Sequence, residues 1–289
     1  MARKIKVSSV VLNVRTHPHS QDRYRQLMED MFDLKLAVKL RGDRYGMLSL
    51  IHRDSEDHGF VSGIITTFVK VEFDGRWFDT SGMKDATEAQ VRTITLPENL
   101  HPNAASFHFE FDTEKHKLYV QTYSEGKNLS ARQAQTLFEG LAETDTIKNK
   151  YGKVPVTIVQ SKDGLESIFG LKVIRKIKIT IYKPNPDIFA DDFEEQIEAH
   201  LEQTRSQRVT ISYEADPGQS VQPTAEIREV SKVALDNGKV EVRGRDERGA
   251  VTKSTEDMPE ELHDKFDPDV LTEQSAFRRL IPRWSALWG

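Results

Sequence analysis

The clearest alternation of apolar and polar positions lies at residues 172–187, which read KVIRKIKITIYKPNPD. Isoleucines alternate there with polar side chains, since Ile177, Ile179 and Ile181 are interleaved with Lys176, Lys178, Thr180 and Tyr182. A period of two places these two sets on opposite faces of a strand. The pattern predicts a strand with one face in a core. Its other face is a basic row ending in an aromatic ring, which can meet either water or a nucleic-acid backbone.

Weaker patterns predict a mostly β N-terminal part. The predicted strands cover residues 4–15, 36–41, 45–53, 59–73, 106–112 and 117–124. Ser20 is placed to cap a helix over 21–34, and Ser130 with Gln133 forms a capping box that opens a second helix. Gly63 inside the fourth strand predicts a bulge or bend.

Strands and helices alternate in the second part of the chain. Strands are predicted over 154–160, 172–182 and 208–213, with a final hairpin over 239–246 and 250–255. Helices are predicted over 165–169, over 191–204, and from near Pro223 to a C-terminal glycine at Gly238. Such alternation is typical of a sheet with helices on one face.

The fold class predicted from these elements is α+β, with helices packed on mixed sheets. A β-rich N-terminal domain is predicted over residues 1–128 and a β/α-alternating domain over 129–256. Residues 257–289 are predicted to be a peripheral tail with a short helix near 272–280.

Composition narrows the function classes. The 289 residues contain 30% charged and 37% hydrophobic residues and no cysteine, so disulfides, thiolate metal sites and a cysteine nucleophile are excluded. No secretory signal and no run long enough to span a bilayer is recognisable, so we expect a soluble protein of the reducing cytoplasm, without membrane insertion. The net charge is −5, and residues 1–128 hold 18 basic and 18 acidic residues. Any nucleic-acid site must therefore be a local patch.

A basic face is the main candidate site. Its residues come from the alternating strand and from the last hairpin: Arg175, Lys176, Lys178, Tyr182, Lys183, Arg243 and Arg245. If the two segments are neighbours in one sheet, they make a cationic face that can hold phosphates, with Tyr182 available for stacking. The alternative is a solvated outer face whose lysines keep an edge strand soluble.

Metal and catalytic sites have weaker signals. His108, Glu110 and Asp112 share one face of a predicted strand, and His116 follows in the turn, so these residues could bind zinc, manganese or iron. A half-exposed structural strand shows the same pattern. No GxSxG motif of a serine nucleophile is present, and no catalytic residue is assigned. Because the structural interpretation of the His108 strand is favoured, no metal ligand and no cofactor is predicted either.

Three further features allow a functional or a structural interpretation. His17 and His19 flank Pro18 and could hold a phosphate or a metal, although a helix-entry loop explains them. Residues 41–46 form a glycine-punctuated basic loop that lacks the spacing of phosphate-binding motifs, so a turn is favoured. Trp284 and Trp288 could dock on a partner subunit or fold back on the core.

Several blocks of the sequence resemble a bacterial family that is classed as a domain of unknown function. The blocks are RTHPHSQDRYRQLMEDMF and VKLRGDRYGMLSL within 15–50, LPENLHPNAASFHF at 96–109, IKITIYKPNPD at 177–187 and VALDNGKVEVRGRDERG at 233–249. The order of elements over residues 131–246 is also similar to the second half of the RexA phage exclusion proteins. That resemblance implies non-specific DNA binding as a homodimer in anti-phage defence.

Three functional hypotheses follow. The first is a non-enzymatic nucleic-acid-binding protein of the defence or mobile-element kind, with DNA favoured over RNA and a homo-oligomeric state. The second is a metal-dependent nuclease or toxin that uses the His108, Glu110, Asp112 and His116 face. The third is a subunit that binds a partner protein through its tryptophan-bearing tail.

Overall fold

The computed structural model describes residues 4–18, 20–52, 59–184 and 192–283. Helices account for 30% of the chain and strands for 37%, which confirms the α+β class. The described strands are β1 (Ile5–Val14), β2 (Val38–Arg41), β3 (Arg44–His52), β4 (Phe60–Val69), β5 (Phe78–Asp79), β6 (Lys84–Asp85), β7 (Ala105–Asp112), β8 (Lys117–Gln121), β9 (Tyr123–Ser124), β10 (Lys127–Asn128), β11 (Val156–Ile158), β12 (Val173–Tyr182), β13 (Arg208–Glu214), β14 (Gly238–Asp246), β15 (Gly249–Ser254) and β16 (Glu261–Phe266).

Most of the described helices begin at a residue whose side chain accepts a backbone N–H group. Ser20 and Ser130 accept backbone N–H groups as the sequence predicted, and the capping box of Ser130 with Gln133 is confirmed. The described helices are α1 (Gln21–Asp33), α2 (Glu88–Arg92), α3 (Ala131–Ala142), α4 (Asp145–Tyr151), α5 (Lys162–Phe169), α6 (Asp192–Gln203), α7 (Ala225–Asn237) and α8 (Glu273–Leu280).

The first sheet is covered on both faces. Its strands follow the order β11-β1-β8-β7-β4-β3-β2, and β16 also pairs with β1. One face packs its apolar side chains, including Phe107, Phe109 and Phe111, against α1, α3 and α4. The other face packs against α8, where Phe277 is fully buried.

The second sheet is covered on one face. Its order is β13-β12-β14-β15, and its inner face packs on α5 and α7. Ile177, Ile179 and Ile181 are all fully buried there, which confirms the predicted alternation in β12. The sequence predicted mixed sheets, whereas every strand pair among the described residues is antiparallel.

The two sheets meet at the C-terminal end of α7. Carbonyl groups at a helix end lack intrahelical donors. Residues of the first sheet and of the segment after β11 supply the missing donors. Gln160 N donates to the Leu235 carbonyl. Asn13 Nδ2 and Thr157 Oγ1 both donate to the Asp236 carbonyl. Gln160 Nε2 also donates to the Gly238 carbonyl at 2.7 Å. Polar side chains of β1 and β11 thus fix the second sheet against the first.

Gly238 ends α7 as predicted, but the physical reason differs from the expected C-terminal glycine motif. Its φ of 177° is extended backbone that any residue adopts. Glycine is required because a Cβ at this position would lie 1.9 Å from the carbonyl oxygen of Thr180 in the neighbouring strand. The constraint is close approach of two backbones.

The C-terminal residues contribute more regular structure than the sequence predicted. The short helix near 272–280 is present as α8, but β16 was not predicted. Five of its six residues are polar or only half-buried, so its sequence carries no clear strand signal. The predicted domain boundaries stay a prediction. The core beneath the first sheet includes residues on both sides of the predicted boundary at residue 128, from Val10 to Ile158.

Candidate nucleic-acid interface

The outer face of the second sheet brings the two predicted basic segments together. β12 pairs with β14, so that Lys176 lies opposite Arg243 and Val173 lies opposite Arg245. On the other side β13 places Glu214 opposite Lys176 and Arg208 opposite Tyr182. The proximity of the two segments, which the sequence could only assume, is therefore a property of the fold.

Glutamates hold the predicted lysines of this face. Lys176 pairs with Glu214 at 2.5 Å, and Lys178 pairs with Glu241 at 3.4 Å. The hydrogen bond from Lys176 lowers the pKa of the Glu214 carboxyl. Because Glu214 and Lys178 are exposed, such pairs contribute about 1 kcal/mol or less to stability.

The arginines of β14 are the cations that remain open to a ligand. Arg243 and Arg245 are exposed, and no ion pair to either side chain occurs within the described ranges 4–18, 20–52, 59–184 and 192–283. Arg208 of β13 is exposed on the same face. Arg175 sits at the irregularity between Ile174 and Lys176, and its Nη1 donates to the Gln219 carbonyl at 2.6 Å. The face thus presents guanidinium groups more freely than ammonium groups.

Tyr182 and Lys183 occupy a different environment at the end of β12. The Tyr182 ring is half-buried and lies 5.7 Å from the guanidinium carbon of Arg15. Lys183 pairs with Glu202 at 2.7 Å, and this contact lowers the pKa of Glu202. Both residues line a cavity of about 450 Å³ beside the sheet instead of its open face.

That cavity contains a residue that sequence reasoning missed. Arg15 is 1% exposed, and its Nη1 donates to the Lys183 carbonyl at 3.4 Å and to Asn237 Oδ1 at 3.3 Å. Burial lowers the pKa of Arg15 to about 10. A single arginine at the end of a strand carries no periodic signal. The only hint was His17, two residues on, which also lines the cavity.

Comparison with known proteins places the chain in a family. The sequence profile described as "Domain of unknown function (DUF4747)" matches residues 5–282. The chain belongs to the DUF4747 family. This confirms the resemblance to a family of unknown function, and no curated protein matches the chain.

In this DUF4747 chain the residues of the candidate metal face make structural contacts. Glu110 is buried and accepts from Arg278 Nε and Arg283 Nη2, each at 2.6 Å. Asp112 Oδ1 accepts the N–H groups of Glu114 and Lys115 in the turn. Within the described part of the chain no group of three or more His, Asp or Glu side chains could hold a metal ion.

His116 lies on the other side of the sheet from Glu110. Its ring centroid is 4.2 Å from that of Tyr24, which packs edge-on against Phe111 in the main core. His108 stacks with Phe277 under α8, and burial together with Arg278 and His52 lowers the pKa of the imidazole. The four residues therefore do not converge on one point.

The remaining sequence features have simple places in the structure. Arg41 and Arg44 face each other across the tight turn between β2 and β3, where Gly42 has φ 53°. His19, Trp284 and Trp288 lie outside the described residues. Among the residues that the structure describes, no helix is both long and apolar enough to cross a membrane.

Proposed function

We propose that the chain binds nucleic acid through the outer face of its second sheet, with the phosphate backbone as the recognised group. The observation that carries this proposal is the exposed pair Arg243 and Arg245 on β14, directly beside the lysines of β12. Guanidinium groups suit phosphate oxygens because they offer two parallel donors. An open antiparallel sheet also gives a backbone a surface several strands wide.

The charge distribution favours contact with phosphates and not with base edges. Arg208, Arg243 and Arg245 point from the open face, while Glu214 and Glu241 hold Lys176 and Lys178 in position. A phosphate that approaches this face can replace a glutamate as the partner of a lysine. Since Tyr182 faces Arg15, base stacking contributes little, and binding is non-sequence-specific.

The wider biological proposal rests on the likeness of residues 131–246 to the RexA exclusion proteins. It adds that the nucleic acid is DNA, that the chain acts without catalysis, and that it assembles as a homo-oligomer in anti-phage defence or on a mobile element. The arginine-held Glu110 supports the non-enzymatic form of this proposal over the metal-dependent nuclease.

The test is fluorescence anisotropy with a labelled duplex that carries 5′-hydroxyl ends, across a salt series. Arg243→Ala with Arg245→Ala should weaken binding by roughly tenfold for each lost phosphate contact near 0.1 M salt and reduce the salt slope by about two. Arg76→Ala with Arg92→Ala removes the same charge from two exposed arginines outside the second sheet and serves as the control.

Two outcomes would count against the proposal. The first is a wild-type chain that leaves the duplex unbound at low salt. The second is an equal loss of affinity in the control pair, because that would place the contacts elsewhere or make them a consequence of net charge alone. Parallel titrations with single-stranded DNA and RNA decide the preferred form of nucleic acid.

A further inference from the structure

The cavity at the junction of the two sheets has the composition of an anion site. Its wall is formed by the residues just after β1, the residues just before β11, the end of β12, and the last turn of α6 with the segment that follows it. Its volume is about 450 Å³. This volume lies within the range of small-molecule pockets. Arg15, Lys153, Lys183 and Arg205 all line it, and Glu202 is the one acidic residue among the described lining residues.

Arg15 is the unusual member of this set. Its Nε and Nη2 are buried and donate to no acceptor among the residues that the structure describes. These two nitrogens form one edge of the planar guanidinium, which is the edge that grips two oxygens of a phosphate or carboxylate side by side. Its two protein acceptors, both neutral, occupy the other end of the group.

Burial of this arginine without an anion is unfavourable. Arginine is almost never fully buried unless it is paired. The nearby carboxylate of Asp236 is engaged by Lys117 at 3.2 Å, and the Tyr182 ring covers one face of the guanidinium. The low pKa of Arg15, near 10, has burial as its largest cause and agrees with the geometry. The site is therefore poised for a negatively charged ligand.

The other lining residues indicate what kind of anion fits. Arg205 is exposed and makes no ion pair within the described residues, while Lys153 donates to Gln207 Oε1 at 3.5 Å. Together with Arg15 these cations suit a doubly charged group better than a single carboxylate. Tyr182, Pro155 and Leu201 add apolar wall for a ring system. Because the Arg15 edge is buried, a terminal group can reach it more easily than a phosphate in the middle of a strand.

We propose that this cavity binds a phosphate monoester of mononucleotide size, with two phosphate oxygens on the Nε and Nη2 edge of Arg15. Arg205 and Lys153 complete the charge neutralisation, and the Tyr182 side of the cavity holds the base. Two sources share this chemistry: a free mononucleotide and the 5′-phosphorylated end of a strand. The site is separate from the open sheet face and goes beyond backbone binding there.

The first experiment is isothermal titration of the full chain at pH 7.5 with AMP, adenosine and inorganic phosphate. AMP should bind and adenosine should not. Arg15→Met, which keeps the volume while removing the charge, should weaken AMP binding by about 100-fold. Arg205→Ala changes only an exposed side chain and should weaken it by about three- to tenfold, so the proposal remains testable if Arg15→Met folds poorly.

Nuclear magnetic resonance of the arginine Nε–H groups shows whether the ligand contacts Arg15. The Arg15 Nε–H signal is identified by its loss in Arg15→Met, and AMP should shift it strongly downfield as a charge-assisted hydrogen bond forms. Arg92→Ala, which alters an exposed arginine outside the cavity, should leave AMP affinity unchanged.

A second titration separates the two sources. Pentanucleotides with a 5′-phosphate and with a 5′-hydroxyl group are compared with AMP. Binding of AMP alone assigns the site to free nucleotides, and binding of both phosphorylated ligands extends it to strand ends. The proposal is overturned if neither phosphorylated ligand binds, or if AMP binds Arg15→Met and Arg205→Ala as tightly as the wild type. Duplex binding to the outer face of the second sheet is measured with 5′-hydroxyl ends, which lack the terminal phosphate. Its result is therefore independent of ligand binding in the cavity.

Discussion

Two buried charges at different places along the first sheet have different surroundings. Glu110, under α8, forms ion pairs with two guanidinium groups at 2.6 Å, so its charge is neutralised within the protein. Arg15, at the junction with the second sheet, has only neutral acceptors and an edge without a protein partner among the described residues. A buried charge with a complete set of partners serves structure. A buried charge that lacks one indicates a place for a ligand.

The two sheets repeat this difference on a larger scale. The first sheet has an apolar cluster on each face, and the acidic side chains of β7 are tied into it. The second sheet has one apolar face and one face of charged side chains in solvent. The proposed binding by the second sheet therefore needs no rearrangement of a core, whereas both faces of the first sheet carry apolar clusters among the described residues.

The largest expected effect tests the two faces of β12 against each other. Ile179→Ala should lower the free energy of unfolding by about 3 kcal/mol, because it leaves a cavity in the second core. Lys178→Ala, one residue away on the outer face, should change it by less than about 0.5 kcal/mol. Urea denaturation of both variants measures the difference. A large loss for Lys178→Ala would mean that the outer face is a structural surface.

Removal of Glu110 comes next in size. Glu110→Ala should cost about 2 kcal/mol, because Arg278 and Arg283 lose their shared carboxylate and α8 loses a tie to β7. The cost is below that of a fully buried pair, since both arginines reach solvent. Glu98→Ala, at an exposed position, is the control for loss of a carboxylate. Equal stability of the two variants would show that Glu110 is not held as the structure indicates.

Substitution of Arg15 should change stability in the opposite direction. Arg15→Met replaces a buried charge that has only neutral hydrogen-bond acceptors by an apolar side chain of similar length. We therefore expect the free energy of unfolding to rise by about 1 kcal/mol in ligand-free protein. Thermal and urea unfolding in phosphate-free buffer measure this change. A loss of stability of similar size to that of Glu110→Ala would remove the contrast between the two charges and assign Arg15 a structural role.

Much of this fold could be predicted from local sequence patterns, whereas the different surroundings of Glu110 and Arg15 could not. The alternating isoleucines of β12 and the Ser130 cap act within a few residues, so the sequence displays them directly. The pairing of β16 with β1 depends on residues more than 240 positions apart and on strands with little apolar signal. Arg15 likewise donates hydrogen bonds to Asn237 and Lys183, which only the fold brings near.

The candidate site residues divide in the same way, into those set by local alternation and those set by contacts with distant strands. Arg243 and Arg245 are exposed as a binding face requires, because alternation along β14 sets their direction. The pairing of Lys176 with Glu214 follows from strand register, which one sequence does not reveal. Tyr182 has the predicted orientation in β12 but meets Arg15, a neighbour supplied by another sheet.

The smallest expected effect is a pH dependence on the covered face. Burial lowers the pKa of His108, with Arg278 and His52 adding to the shift, so the unfolded chain takes up a proton before the folded chain does. Stability from this group is complete above the ordinary pKa of histidine, near 6.5, and falls as the pH drops through and below that value. His108→Gln should therefore lose less stability than the wild type between pH 7 and pH 5. Urea midpoints across this range measure the difference, and identical slopes would show that His108 is as well solvated as a surface histidine. A reduced slope in the variant would instead confirm that the α8-covered face disfavours the charged imidazole of His108, in contrast to the open face of the second sheet, where charged side chains lie in solvent.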